Sequence, residues 1–127
     1  MSLDYDVLPG EYLKILPHLS IQEADILHRV IEDIHTTDQT SLIKSGEAYG
    51  DSWCARGGPG AWMVSCRKFD RLETQLKKVD WNIFRLLLEN DDPDGPLDDI
   101  EDLTRYLILI RCFVRLAKEK KDAASGT

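Results

Sequence analysis

Apolar residues recur three or four positions apart in three long segments of the chain, which is the spacing of one face of an α-helix. The first segment spans residues 21–34, the second 61–79 and the third 100–114. A shorter apolar run covers residues 83–88, which periodicity alone does not assign, and we predict a short helix there. No segment alternates strictly between apolar and polar residues as a half-buried strand does. The pattern predicts an all-α fold, a small helical bundle of three long helices plus one or two short ones, whose apolar stripes meet in one core.

The two ends of the chain lack this periodic pattern. Prolines and a glycine punctuate residues 1–19, which we predict to form an N-terminal arm with room for one short helical turn. Ser20 and Glu23 form a capping box, in which each side chain satisfies a backbone N–H of the first helical turn. We therefore expect a single helical domain over residues 20–121, followed by a disordered tail at residues 122–127.

The segment between the first two stripes, residues 36–60, is polar at its start and glycine-rich at its end. It predicts a loop with a brief helix near residues 41–47. The run Gly57-Gly58-Pro59-Gly60 disfavours a regular helix, because glycine loses backbone entropy there and proline lacks a donor. Loops carry binding and catalytic residues more often than cores do, so this segment is the first place to expect a site.

Aromatic and polar residues in that loop form a candidate ligand site. A tyrosine and a tryptophan flank a small polar turn, and an arginine follows it. Aromatic rings stack on nucleobases and a guanidinium pairs with phosphate. The candidate ligand-binding residues are Tyr49, Asp51, Trp53 and Arg56. The alternative is that the aromatic side chains only seal the loop onto the core, and no Walker-type or Gly-x-Gly-x-x-Gly motif accompanies them.

Composition and charge restrict the classes of function. The 127 residues suit one domain, and 43% hydrophobic with 31% charged residues is a globular balance. The longest nearly apolar stretch, residues 103–116, contains three arginines and is shorter than the roughly 20 residues that span a bilayer, so no membrane contact is expected. An acidic N-terminus and three unpaired cysteines predict a cytoplasmic location. The net charge of −7 disfavours a nucleic-acid backbone but permits a small anion bound with a metal.

Two pairs of carboxylates lie three residues apart, one pair on the second long stripe and one at the start of the third. Residues three apart share a helix face, so the two pairs could meet in an antiparallel bundle and hold Mg²⁺ through oxygen ligands. The candidate metal ligands are Asp70, Glu73, Asp99 and Asp102. Basic neighbours could contact the phosphates of a ligand, and the candidates are Arg67, Lys68 and Arg71. The alternative is that the acids are solvated or cap a helix.

Three short motifs resemble a known family. They are Tyr49-Gly50-Asp51-Ser52-Trp53, Arg67-Lys68-Phe69-Asp70-Arg71-Leu72 and Asp98-x-x-x-Asp102-Leu103-x-x-Tyr106. The chain over roughly residues 41–115 is similar to the nucleotide-modification-associated domain of phages and bacteria, which is small and helical. That family resembles the all-α nucleoside-triphosphate pyrophosphatases, such as MazG and the dimeric dUTPases, whose paired acids on two helices bind Mg²⁺ and a nucleotide.

The resemblance implies a Mg²⁺-dependent nucleotide-binding protein, either pyrophosphatase-like or an accessory of nucleotide modification. By the same resemblance, the acid pairs bind Mg²⁺, while Lys68 and Arg71 contact phosphate. The chain has Asp-x-x-Glu where the pyrophosphatases have Glu-x-x-Glu, and Asp-x-x-Asp where they have Glu-x-x-Asp, so the catalytic residues stay unassigned. The alternative function is a non-catalytic helical protein-interaction module, with a homodimer as one candidate assembly.

Overall fold

The computed structural model of the chain describes residues 24–126, and this part of the protein is all-α. Its α-helices are α1 (Ala24–Tyr49), α2 (Gly57–Leu76), α3 (Ile83–Leu88) and α4 (Pro96–Ala124). A 3₁₀ turn, Lys77–Val79, continues α2. Three long helices and a short one, with no strand in the described range, confirm the predicted fold class. The predicted arm and the capping box that follows it lie outside the described residues.

Helix α1 is one continuous helix of 26 residues. The prediction of a loop from residue 36 is therefore wrong for residues 36–49. Threonine, serine and aspartate lose at most about 0.7 kcal/mol each relative to alanine inside a helix, so a few of them do not end one. Asp38, in the middle of the polar stretch, is buried and accepts a hydrogen bond of 3.0 Å from Arg105 of α4. This tertiary contact stabilises the segment in helical form.

A turn over residues 50–56 joins α1 to α2, and glycines at both of its ends allow it. Gly50 has a φ of 59° and Gly57 a φ of 75°, values in the left-handed region that favours glycine. Helix α2 then begins at Gly57, so the predicted loop is also wrong for residues 57–60. The N–H groups of the first helical turn have no acceptor within the helix, so Pro59 removes no helical hydrogen bond there.

The connection from α2 to α3 reverses the chain at two non-glycine residues. Asp80 and Trp81 have φ values of 52° and 64°. Each such residue costs about 1–3 kcal/mol of backbone strain. Asn82 then caps α3, because its side-chain oxygen accepts a hydrogen bond of 3.1 Å from the backbone N–H of Arg85. Helix α3 confirms the short helix predicted for residues 83–88.

Helix α4 starts at a proline, the residue whose fixed φ and missing donor suit the first helical position. Gly95 precedes it, and a β-carbon there would lie 2.9 Å from the carbonyl oxygen of Asp92, so the tight approach requires glycine. The helix begins four residues before the predicted stripe and continues to Ala124, beyond the domain boundary expected at residue 121.

The core is small and lies between α2, α3 and α4. Its buried apolar side chains are Ala61, Leu72, Leu86 and Leu103. Helices α2 and α4 form the main packing pair, whereas α1 meets α4 over a shorter length. The prediction that all three stripes share one core is therefore wrong for α1, whose side chains at residues 28–37 are all exposed.

Helix α2 presents to the core a face that is rotated from the one predicted, although Leu72 is buried as expected. The expected stripe included Trp62 and Phe69, which are both about half exposed. The buried face runs instead through Ala61, Ser65 and Leu72, roughly a quarter turn away around the helix. Small residues at two of these positions let α4 approach closely. Among the described residues, no helix is both long and apolar enough to cross a membrane.

Candidate functional site

Helices α2 and α4 meet through a cluster of opposite charges. Lys68 Nζ lies 2.9 Å from Asp102 Oδ2 and 3.6 Å from Asp99 Oδ1. Arg71 Nη1 lies 3.4 Å from the same Asp99 oxygen. The two cations are three residues apart on α2 and the two carboxylates three apart on α4, so each pair shares one helix face. The structure therefore brings together four of the predicted site residues, which we call the ion-pair cluster.

Asp99 is the most unusual member of the ion-pair cluster. Its side chain is completely buried, with 0% of its surface exposed. Within the described part of the chain, neither of its carboxylate oxygens has a hydrogen-bond partner. A buried carboxylate normally accepts several hydrogen bonds, because it loses the water that solvates its charge. The charge of Asp99 is consequently compensated by two nearby cations while its hydrogen-bonding capacity is unused.

The pKa values of two side chains reflect this crowding. Burial by itself lowers the pKa of the Lys68 ammonium, but the hydrogen bond to Asp102 and the charges of Asp102 and Asp99 outweigh it. The net pKa of Lys68 therefore lies above its ordinary value. Burial also raises the pKa of the neighbouring Asp98 carboxyl, and repulsion from Asp102 adds to the increase. At neutral pH, Lys68 is charged and holds the two carboxylates together.

A cleft of about 570 Å³ adjoins the ion-pair cluster. The second half of α1, the turn after it and the middle of α4 form its walls. Two of the predicted ligand-binding residues, Asp51 and Trp53, line it, and so does the predicted metal ligand Asp102. The cleft and the ion-pair cluster are therefore continuous, since Asp102 belongs to both. Tyr106, one turn beyond Asp102 on α4, supplies a second aromatic ring to the same wall.

Arg105 of α4 lines the cleft and connects α4 to α1. Its Nε donates a hydrogen bond of 3.0 Å to Asp38 of α1, and its Nη2 donates one of 3.2 Å to Glu101. Because Asp38 is buried, this bond is protected from solvent and fixes α1 against α4. Neither Arg105 nor Tyr106 was among the predicted site residues, although Tyr106 ends the third motif of the sequence analysis. An arginine within an apolar stripe was the available signal for the first, and the i,i+4 spacing from Asp102 was the signal for the second.

Several predicted residues lie away from the cleft. Glu73 is exposed and pairs with Lys77 at 3.9 Å. Asp70 is exposed, and its position on α2 is opposite to that of Lys68. Arg56 is exposed at the start of α2 and does not line the cleft, while the side chain of Tyr49 is outside the described set. Asp70 and Glu73 are thus not brought to Asp99 and Asp102 in this structure.

The arrangement constrains how Mg²⁺ could bind. Among the described residues, no group of three or more histidine, cysteine, aspartate or glutamate side chains is placed to hold a metal ion. Asp99 and Asp102 supply oxygen donors, the kind that Mg²⁺ prefers, but both already share the Lys68 ammonium. A cation bound between these two carboxylates therefore requires Lys68 to move. Asp102 also faces the cleft, where a metal could reach it together with a ligand and water.

Trp53 also lines a second, apolar groove of about 270 Å³ on the far side of the turn. Trp62 of α2 and Phe113 of α4 form much of this groove.

Comparison of the chain with protein-family models gives no matching family, and comparison with curated proteins and with solved structures gives no match. The resemblance to the nucleotide-modification-associated domain therefore stays a prediction from the three motifs, and the case for function depends on the geometry of the cleft.

Proposed function

We propose that the protein binds a nucleotide, with Mg²⁺, in the cleft between α1 and α4. The observation that carries this proposal is the joint presence on its wall of Trp53, Tyr106 and Asp102. Two aromatic rings can hold a planar base, and a carboxylate can accept hydrogen bonds from sugar hydroxyls or bind a metal. The volume of about 570 Å³ falls within the range of roughly 300–1,000 Å³ typical of small-molecule sites.

The charge of the cleft explains why Mg²⁺ belongs to the proposal. Asp51 and Asp102 contribute carboxylates to the wall, and the cations beside it are already paired, Lys68 with Asp102 and Arg105 with Asp38 and Glu101. A triphosphate entering this environment without a cation would be repelled. Mg²⁺ would bridge the carboxylate and the phosphates, so triphosphate binding should depend on Mg²⁺. An uncharged nucleoside should bind equally well with or without it.

Calorimetric titration of the wild-type protein tests this proposal. The ligands are a nucleoside and its triphosphate, each with and without Mg²⁺, for each of the common bases. A thermal-shift panel can select the base first, because a ligand at 100 times its Kd stabilises the folded state by about 2.7 kcal/mol. Failure of every nucleoside and nucleotide to bind would overturn the proposal.

Two variants with matched controls locate the site. Trp53→Ala should weaken binding about 5–150-fold, since stacking of one base on an aromatic ring is worth about 1–3 kcal/mol. Its control is Trp81→Ala, which removes an exposed tryptophan outside the cleft. Asp102→Asn should reduce triphosphate binding in Mg²⁺ more than nucleoside binding, whereas Asp91→Asn, at an exposed loop residue, should change neither. Unchanged affinity in folded Trp53→Ala protein would place the ligand elsewhere.

A non-catalytic interaction module is the second candidate function. The observation that favours it is the number of large apolar side chains exposed on α1 and on the second half of α4. Large exposed apolar patches commonly mark sites of protein–protein contact. The two functions are compatible, because the exposed stripes and the cleft involve different parts of the helices.

A further inference from the structure

Asp99 of the ion-pair cluster keeps an unused capacity to accept hydrogen bonds. Its side chain is fully buried, and neither carboxylate oxygen accepts a hydrogen bond from any residue that the structure describes. Arg71 lies 3.4 Å from one of these oxygens, but its side chain is more than half exposed and makes no hydrogen bond there. A buried carboxylate without donors is costly, so Asp99 gains stability from any donor that turns to it.

The ammonium of Lys68 is placed to make this hydrogen bond. Its Nζ lies 2.9 Å from Asp102 Oδ2 and 3.6 Å from Asp99 Oδ1, so it is hydrogen-bonded to Asp102 and is paired with Asp99 by charge alone. A shift of less than about 1 Å would bring Nζ within hydrogen-bond distance of Asp99. An ammonium carries three donors on a flexible stem, so it can change its acceptor without movement of the backbone.

The two carboxylates differ in what can reach them. Asp102 lines the cleft with 32% of its side chain exposed, whereas the side chain of Asp99 is closed off from solvent. A ligand in the cleft can therefore compete with Lys68 for Asp102 but not for Asp99. Without a second acceptor, this competition would leave the ammonium of Lys68, whose side chain is only 19% exposed, without a hydrogen-bonded carboxylate.

We propose that Asp99 is a positioning residue, which accepts the ammonium of Lys68 when Asp102 turns to a ligand in the cleft. In the free protein, Lys68 is hydrogen-bonded to Asp102. When the cleft is occupied, Lys68 donates to Asp99 instead, and the hydrogen bond gained there offsets the one lost at Asp102. This inference rests on the proposed function, because it concerns how Asp102 is released for a triphosphate bound with Mg²⁺.

Calorimetric titration of Asp99→Asn tests the role of Asp99 in binding. The probes are the nucleoside triphosphate that binds the wild type most tightly, in Mg²⁺, and the matching nucleoside. The amide lacks the charge that attracts Lys68, so triphosphate binding should weaken about tenfold or more, while nucleoside binding stays nearly unchanged. Asp98→Asn is the matched control, because it removes a neighbouring charge of α4 that also acts on Lys68 and Asp102 but lies on another side of the helix. It should change both affinities far less.

A double variant separates an effect through Lys68 from a general effect on the fold. In Lys68→Met there is no ammonium for Asp99 to accept, so adding Asp99→Asn should not weaken triphosphate binding further. The double variant also removes the buried charge, and circular dichroism checks that it keeps its helix content. An equal loss of affinity on adding Asp99→Asn with and without Lys68 would refute the positioning role and leave the proposed function intact.

Nuclear magnetic resonance of the ligand-free protein tests the change of acceptor itself. The chain carries isotope-labelled lysine, and loss of the signal in Lys68→Met assigns the Lys68 ammonium. Asp102→Leu keeps similar bulk but removes the acceptor, so Lys68 should turn to buried Asp99 and its ammonium hydrogens should exchange with water more slowly than in the wild type. Faster exchange would show that the ammonium has turned to solvent and would overturn the proposal, whether or not a nucleotide binds. Failure of the wild type to bind any triphosphate would instead overturn the proposed function, and with it the role of Asp99 in binding.

Discussion

Removing Lys68 should destabilise the protein more than removing the buried carboxylate that it neutralises. Lys68→Met deletes the cation 3.6 Å from Asp99 and leaves that carboxylate fully buried without a hydrogen bond within the described residues. Asp99→Asn instead removes the buried charge itself and keeps the shape of the side chain. The two variants break the same ion pair, so any difference between them measures what is left behind.

The expected magnitudes follow from the geometry. At 3.6 Å and an effective dielectric constant near 20, the attraction between two unit charges is about 4–5 kcal/mol before desolvation is subtracted. Leaving a buried charge without its partner costs about 3–5 kcal/mol, but Arg71 stays 3.4 Å from Asp99 and is more than half exposed, so it compensates in part. We expect a loss of about 2–3 kcal/mol for Lys68→Met and about 1 kcal/mol or less for Asp99→Asn.

Urea titrations at pH 7, followed by circular dichroism and tryptophan fluorescence, measure both losses. The protein concentration must be the same in all titrations, because any self-association would add to the apparent stability. Lys77→Met is the control, since the exposed Lys77–Glu73 pair should contribute at most about 0.5 kcal/mol. If Asp99→Asn proves as destabilising as Lys68→Met, the uncompensated charge of Asp99 is not what makes Lys68 important.

Two further predictions concern the same fold. Leu103→Ala, at 8% exposure, should lower the free energy of unfolding by about 2–5 kcal/mol, whereas Leu107→Ala, at 36% exposure, should lower it by only about 1 kcal/mol. Urea titration compares the two variants, and a larger loss for Leu107→Ala would contradict the packing of α4. The folded-state pKa of Lys68 is raised, so its stabilising contribution is complete below the ordinary lysine pKa and is lost as the pH rises through the raised value. The difference in unfolding free energy between wild type and Lys68→Met should therefore be constant below the ordinary lysine pKa and should narrow as the pH rises above it, and a difference that stays constant above that pKa would argue against the ion pair.

The fold class was predictable because helical periodicity is a local property. The bounds of α1 and α2 were not, since polar and glycine-rich residues weaken a helix only slightly and tertiary contacts decide whether it continues. Asp38 is the clearest case, because its burial against Arg105 depends on a residue 67 positions away in the chain. No local pattern around Asp38 contains that information.

The candidate site was predictable in part for a related reason. Spacing of three residues correctly grouped Asp99 with Asp102 on one helix face. Lys68 and Arg71, predicted only as basic neighbours, share a face of α2 in the same way. It could not establish which face of α2 meets α4. The face that does so carries small residues and Lys68, and it therefore turns Asp70 away. The rotation of one helix about its axis separated the acids that the sequence had paired.

Because the first half of α1 is exposed, the free energy of its local unfolding depends on whether another surface covers it. An exposed helical end gains little from packing, and each of its residues adds only a small free energy of helix propagation in water. Backbone amides at residues 25–37 should therefore exchange with solvent through local unfolding, at a free energy well below that of the core around Leu72 and Leu103. Any surface that covers the exposed apolar side chains of this segment raises that local free energy by the amount of its own binding energy. Protection of these amides consequently reports how much of the surface is covered, residue by residue, under any solution condition.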